Sequence, residues 1–177
     1  DVSSLLLSKL SAGSEGGVHG PLLSSLSKEP SWSQERLKNL LFGENLPDLN
    51  GESWTNGLAK GHLVVTNLSI ASHLLGTPFM PNLNEAILIL EDVSESPYRI
   101  DRMLTHWRLT GLLNNLSGIG FGNFKDCIET EATNNKNTFT VEEILKERTK
   151  DLGIPVVGKL PIGHDSGNAA LPLGRNS

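Results

Sequence analysis

Glu91, Asp92 and His164 are the residues whose types and placement in this chain suit proton transfer. The two acids end the apolar run Ala86 to Leu90, and Ile/Leu runs of this length fit a strand covered on both faces. In open α/β sheets ligands gather beyond the carboxyl ends of such strands, so the acids point at a site. His164 comes after a further strand and a Pro161-Ile162-Gly163 turn, and so also lies in a loop beyond a strand end. In acyl transfer a histidine takes a proton from a nucleophile and returns it to the leaving amine, while a carboxylate holds the imidazole in the needed tautomer. Glu91 and His164 have the chemistry of that pair. The same residues also fit plainer roles, the acids as a solvated strand end capping the next segment and the histidine as an ordinary loop residue. Spacing alone leaves both readings open.

The elements on either side of the acids must hold them. Pro97 opens an amphipathic helix in which Ile100, Met103, Leu104 and Trp107 recur at helical spacing, to about Leu113. Upstream, Gly61 to Val65 is predicted as a strand, and Asn67 to Leu75 as a helix capped by Asn67 and stopped at Gly76. Downstream, Ser117 to Phe124 alternates Gly with Ile and Phe, which suits a strand closely approached by another backbone. Thr130 to Thr138 reads as a polar surface loop. Thr140 with Glu143 forms a capping box for a helix through Leu152 with Val141, Ile144 and Leu145 inward, and Ile154 to Val157 is a last strand. Near the start, Val2 to Leu10 forms a helix face, Val18-His19-Gly20-Pro21 a strand end or binding loop, and Ser31 to Phe42 a helix. Ser33 is the expected N-cap of that helix, Leu37, Leu40 and Leu41 its buried stripe, and Gly43 its stop. The Asn/Asp/Gly/Pro-rich stretch 45–56 suggests a domain boundary near residue 48. Alternating strands and helices imply an α/β architecture.

Composition narrows the function. The 177 residues carry 15 Lys plus Arg against 20 Asp plus Glu, a formal charge of -5, with no basic stripe interleaved with aromatics, so nucleic acid is not an expected partner. No apolar run reaches the length of a membrane span, and there is no basic n-region of a secretory signal. One cysteine, Cys127, cannot pair internally, which agrees with a reducing compartment. A soluble cytoplasmic protein is expected. Although His164, Asp165, Glu91 and Asp92 include acceptable metal ligands, no HExxH-like spacing supports a metal. A P-loop, a GxGxxG after a strand and a GxSxG elbow are equally missing, so no cofactor is expected. His73 and His106 fall on predicted helices, where packing or solvent explains them, and His19 and His62 receive no role.

Five segments in order and spacing resemble the serine LD-carboxypeptidases: Leu75-Gly76-Thr77-Pro78-Phe79-Met80-Pro81, Ile87 to Val93, Pro97 to Leu104, Gly163-His164, and Leu171-Pro172-Leu173-Gly174. In that family a Ser-His-Glu triad hydrolyses the bond before the C-terminal D-alanine of a murein tetrapeptide during cytoplasmic cell-wall recycling. The resemblance implies that Glu91 is the triad glutamate and His164 the triad histidine. The family's nucleophilic serine sits in a Ser-Asp pair before an apolar helix and a Gly-Pro segment. Here Asp1, Val2 to Leu10 and Gly20-Pro21 match the residues on the C-terminal side of that serine. The nucleophile is then the residue before Asp1, and the Asp1 amide a candidate oxyanion-hole donor. The chain, on this reading, is a fragment trimmed at both ends.

The family's fold implies that residues 1–48 finish a flavodoxin-like or Rossmann-like nucleophile domain, whose upstream half is a partner of this chain. Residues 49–177 would form a smaller C-terminal α/β domain of the swivelling β/β/α kind that supplies Glu91 and His164 across a cleft. Asn67 and Asp92 are candidates to line that cleft, Asp92 more as a structural neighbour. Where the family usually has Gly-Gly-Asn-Leu, this chain has Val65-Thr66-Asn67-Leu68, losing both glycines. A homodimer is implied by the family alone. Two further readings accompany the murein peptidase: a serine peptidase resembling the microcin C immunity proteins, which cut an amide in a peptidyl nucleotide, and a non-catalytic binding module of the same fold.

Overall fold

The computed structural model describes residues 1–14, 17–128 and 139–175. Its elements in chain order are α1 (Val2–Ser11), β1 (Val18–His19), a 3-10 turn (Leu26–Lys28), α2 (Ser31–Phe42), β2 (Glu52–Thr55), β3 (Leu63–Asn67), α3 (Leu68–His73), β4 (Ile87–Val93), α4 (Pro97–Leu109), β5 (Gly118–Lys125), α5 (Val141–Thr149), β6 (Val156–Gly158) and β7 (Leu171–Pro172). Five strands form one sheet in the order β2-β6-β5-β4-β3. Every neighbour pair in it is parallel except the antiparallel edge pair of β2 and β6. The expected α/β architecture is present, with the Ile/Leu-rich β4 near its centre.

Period-two alternation along β4 splits its side chains between two apolar layers. Leu88 and Leu90 join Val64, Phe121 and Val156 in the larger core, which α3, α4 and α5 cover with Leu68, Ile100, Leu104, Trp107, Ile144 and Leu145. Trp107 is fully buried, and its indole N–H donates to Ser72 Oγ at 2.9 Å, tying α4 to α3. Ile87 and Ile89 face the other way, onto Leu63, Val65, Leu160, Ile162, Ala169 and Leu171. The sheet therefore carries helices on one face and the C-terminal segment 160–171 on the other.

Residues 1–48 pack onto this unit through α1, β1 and α2. Leu7 of α1 is buried in the larger core, and β1 pairs antiparallel with β7, His19 opposite Leu171. The 12-residue helix α2 spans the expected range and stops at Gly43, whose φ of 72° is the left-handed stop that glycine adopts without strain. Its cap and stripe differ from expectation. Pro30 is the N-cap, while Ser33 lies inside the helix, buried, with its hydroxyl donating to Asn168 O. Of the expected stripe, Leu37 is buried, Leu40 half-buried and Leu41 63% exposed, and Ser33 and Arg36 complete the buried face, where they meet the backbone of 168–170.

Other boundaries shift by a few residues. The β3 strand runs two residues further than predicted, so Asn67 both ends it and caps α3, its Oδ1 accepting from Ile70 N at 3.0 Å. The α3 helix closes at His73 and α5 at Thr149, both short of expectation. The capping box of Thr140 and Glu143 is present. Two further strands arise that the sequence pattern does not predict, β2 in the stretch read as a domain boundary and β7 within the Leu171-Pro172-Leu173-Gly174 segment. The polar stretch Thr130 to Thr138 lies outside the described residues.

Candidate active site

Adjacent residues on a strand point to opposite faces, and this separates the two acids. Glu91 continues the Ile87 and Ile89 face and is 1% exposed. Its Oε2 accepts from Nδ1–H of His164 at 2.7 Å. Two glycines make that contact sterically possible. A Cβ on Gly122 of β5 would run into the Ile162 carbonyl and crowd the Glu91 Cβ, and one on Gly163 would lie 3.0 Å from Glu91 Oε2. Gly163 also has φ 126°, a backbone conformation that disfavours any side chain. Between Leu90 and Asp92 the pairing with β5 slips by one residue, a bulge of the kind that re-aims side chains at strand ends.

Asp92 continues the Leu88 and Leu90 face and is also 1% exposed. Four donors saturate its carboxylate: Asn67 Nδ2 at 2.9 Å and Val93 N at 2.8 Å on one oxygen, Ser69 N at 3.0 Å and Ser69 Oγ at 2.7 Å on the other. Both Asn67 and Asp92 border a cleft of about 760 Å³, with their polar atoms already committed to joining β3, β4 and the start of α3.

The loop that carries His164 is fastened from far upstream. Glu29 accepts from the amides of Gly167 and Asn168 at 2.7 and 3.3 Å, and the guanidinium of Arg36, 7% exposed, donates to Ala170 O at 3.0 Å. Asn168 in turn accepts from Gly163 N at 3.1 Å. These contacts fix the backbone on either side of His164, while its own ring stays half exposed at the rim of the cleft. Asp1 borders the same cleft and caps α1, accepting from Ser3 N at 2.7 Å.

The geometry also brings in a residue to which sequence reasoning gives no role. His19 of β1 borders the cleft, with its Nε2 3.9 Å from Glu91 Oε1. The only sequence signal is the short Val18 to Pro21 segment, which reads as a strand end or a binding loop. His62, by contrast, lies elsewhere, its Nε2 3.0 Å from Asn82 O, and His73 and His106 are exposed on helices. Among the described residues, no three His, Cys, Asp or Glu side chains are grouped to hold a metal ion.

The hydrogen bond to Glu91 raises the His164 pKa above the ordinary 6.5; the charges of Glu91 and Asp92 add to this, and burial and Lys125 oppose it. A raised histidine pKa means that the folded state holds the proton more tightly. Its contribution to stability is complete below 6.5 and is lost as pH rises through the higher folded value. The neutral base form fills over that same upper window. We therefore expect the ring of His164, observed by NMR, to titrate above 6.5 in the native protein and to move down in Glu91→Gln. An unmoved midpoint would mean that the carboxylate does not govern the imidazole.

Comparison with known proteins adds the ancestry. The family model for the LD-carboxypeptidase C-terminal domain matches residues 60–177. The chain belongs to the LD-carboxypeptidase family. A putative carboxypeptidase of Synechocystis sp. is 49% identical over 174 residues, 98% of this chain and 56% of that protein. The chain spans about half the length of the curated relatives it matches. A muramoyltetrapeptide carboxypeptidase from Oxalobacter formigenes superposes with a TM-score of 0.81 at 25% identity, covering 99% of this chain and 61% of the other. The microcin C7 self-immunity protein MccF, solved with aspartyl sulfamoyl adenosine, shares the fold at 19% identity, with a TM-score of 0.80 over 99% of this chain and 61% of its own. Among the described residues, no helix of this LD-carboxypeptidase chain is long and apolar enough to cross a membrane.

Proposed function

We propose that the full-length protein is a serine peptidase that hydrolyses the L,D-amide bond before the terminal D-alanine of murein tetrapeptides, working in cytoplasmic cell-wall recycling as a homodimer. The observation that carries this reading is the 2.7 Å hydrogen bond from His164 to the buried Glu91 at the rim of a cleft that Asp1 and the start of α1 also border. The nucleophile is the serine immediately before Asp1, on the nucleophile domain that residues 1–48 complete; residues 49–177 supply the acid and the base.

The chemistry rests on these places. The serine Oγ attacks the scissile carbonyl as Nε2 of His164 takes its proton. Glu91 holds Nδ1–H and stabilises the imidazolium that forms. The amide of Asp1 donates to the developing oxyanion. When the tetrahedral intermediate collapses, the C–N bond breaks and Nε2–H protonates the leaving D-alanine amine. Water then cleaves the acyl-enzyme by the same route. These steps use side chains, backbone amide and water alone.

Glu29, Glu95 and Asp165 border the cleft, and among the described residues its lining has no lysine or arginine. Such a field attracts the free amine of a diamino acid at the third position of the peptide.

The test uses full-length protein with two substrates and one probe. D-alanine release from the tetrapeptide supports the proposal. Hydrolysis of only the aminoacyl sulfamoyl adenosine would replace it with the immunity-type peptidase, and failure to react with a serine-directed acylating probe would leave a non-catalytic module.

A further inference from the structure

Glu91 has two carboxylate oxygens, and the hydrogen bond to His164 accounts for one of them. The nearest imidazole on the other side belongs to His19, whose Nε2 lies 3.9 Å from Oε1. The His19 side chain is 11% exposed, and its Nδ1 is buried without a hydrogen-bond partner among the described residues. A neutral imidazole has one N–H donor and one acceptor nitrogen. With the proton on Nε2, the donor faces the carboxylate and the orphan is an acceptor. The opposite tautomer would aim a lone pair at Oε1 and leave a buried N–H unpaired, the costlier arrangement. The environment therefore selects the Nε2–H form.

Burial favours the neutral form of this ring, holding its pKa below the ordinary value. Two titratable groups act on it, Glu91 from β4 raising that value and His164 lowering it. The backbone beneath is fixed as well, since His19 pairs with Leu171 and a Cβ on the adjoining Gly20 would sit 3.0 Å from the Ala170 Cβ.

We propose that His19 is a positioning residue of the triad, a buried imidazole whose Nε2–H faces Oε1 of Glu91 and keeps Oε2 turned toward His164. This rests on Glu91 and His164 being the acid and base of the reaction. The two imidazoles then divide the work: one carboxylate lies between the ring that takes the proton, on Oε2, and a buried ring that faces Oε1. Were His19 charged, it would compete with His164 for the same negative charge and weaken the base.

The experiment compares His19→Phe and His19→Met, which fill space without a donor, with His19→Gln, whose side-chain amide restores an N–H near the Nε2 position. In full-length protein the two donorless variants should lower kcat by roughly tenfold with KM little changed, the scale typical of lost orienting contacts. Without the opposing dipole the carboxylate binds the His164 proton more tightly, so the NMR midpoint of His164 and the acid limb of kcat/KM should both move to higher pH. Gln should return both toward the native values. A His164 midpoint identical in native, Phe and Met proteins, with kcat retained, would reduce His19 to packing. Glu91→Gln separates the two levels: if it moves the His164 midpoint and activity while the His19 variants do not, only the role of His19 fails, and if it moves neither, the triad reading itself fails.

Discussion

On the proposed mechanism, His164→Ala and Glu91→Gln should each lower kcat of the full-length protein by roughly 10³–10⁴-fold, with KM nearly unchanged. Alanine removes the imidazole that stands half-exposed at the cleft rim and leaves the nucleophile without a base. Glutamine keeps an oxygen to accept Nδ1–H but loses the charge that stabilises the imidazolium, and 1% exposure means that water does not replace that charge. Because the two groups act through one hydrogen bond, the double variant should be hardly worse than the worse single one. Steady-state kinetics on the tetrapeptide decide this. Losses that multiply in the double variant would show two residues working independently and would break up the triad.

The second large effect concerns folding. Asp92→Ala should destabilise the protein by about 3–5 kcal/mol, since it strands four donors, that of Asn67 buried and those of Ser69 and Val93 part-buried, at about 1–3 kcal/mol each when fully unpaired. Four donors converge on this carboxylate from β3, β4 and α3, at the border of the cleft. For a chain of this size the melting temperature should fall by on the order of 10 °C. Asp92→Asn should recover only part of this, because one of its two polar atoms becomes a donor aimed at donors. A fall of less than about 2 °C in Asp92→Ala by calorimetry would mean that water enters and satisfies the site.

Much of the arrangement is written in local pattern. The run 86–90 identifies a covered strand, Pro97 opens α4, and Thr140 with Glu143 opens α5. The α/β architecture comes from their alternation. Strand parity also carries the distinction between the acids: Glu91 shares its face with Ile89 and Asp92 with Leu90, so the neighbours lie on opposite sides of the sheet. The hidden part depends on distant partners. Ser33 has the chemistry of an N-cap, and nothing nearby in sequence reveals that Asn168 takes its hydroxyl. The four residues of β2 form a strand only because β6 comes to lie beside them. His19 stands far before Glu91 in the chain, joined to the site by the pairing of β1 with β7.

The clamp around His164 also has a consequence in time. Glu29 reaches Gly167 across 138 residues, Ser33 reaches Asn168 across 135 and Arg36 reaches Ala170 across 134, whereas the acid and the base are 73 apart. Contacts this far apart in sequence close late, since the entropy of bringing the ends together precedes any gain from joining them. On a ribosome the sheet through β5 can form while residues 160–171 are still inside the exit tunnel. The pairing of His164 with Glu91 is thus assembled late, and a nascent chain that stalls before segment 160–171 emerges lacks the base of the proposed triad.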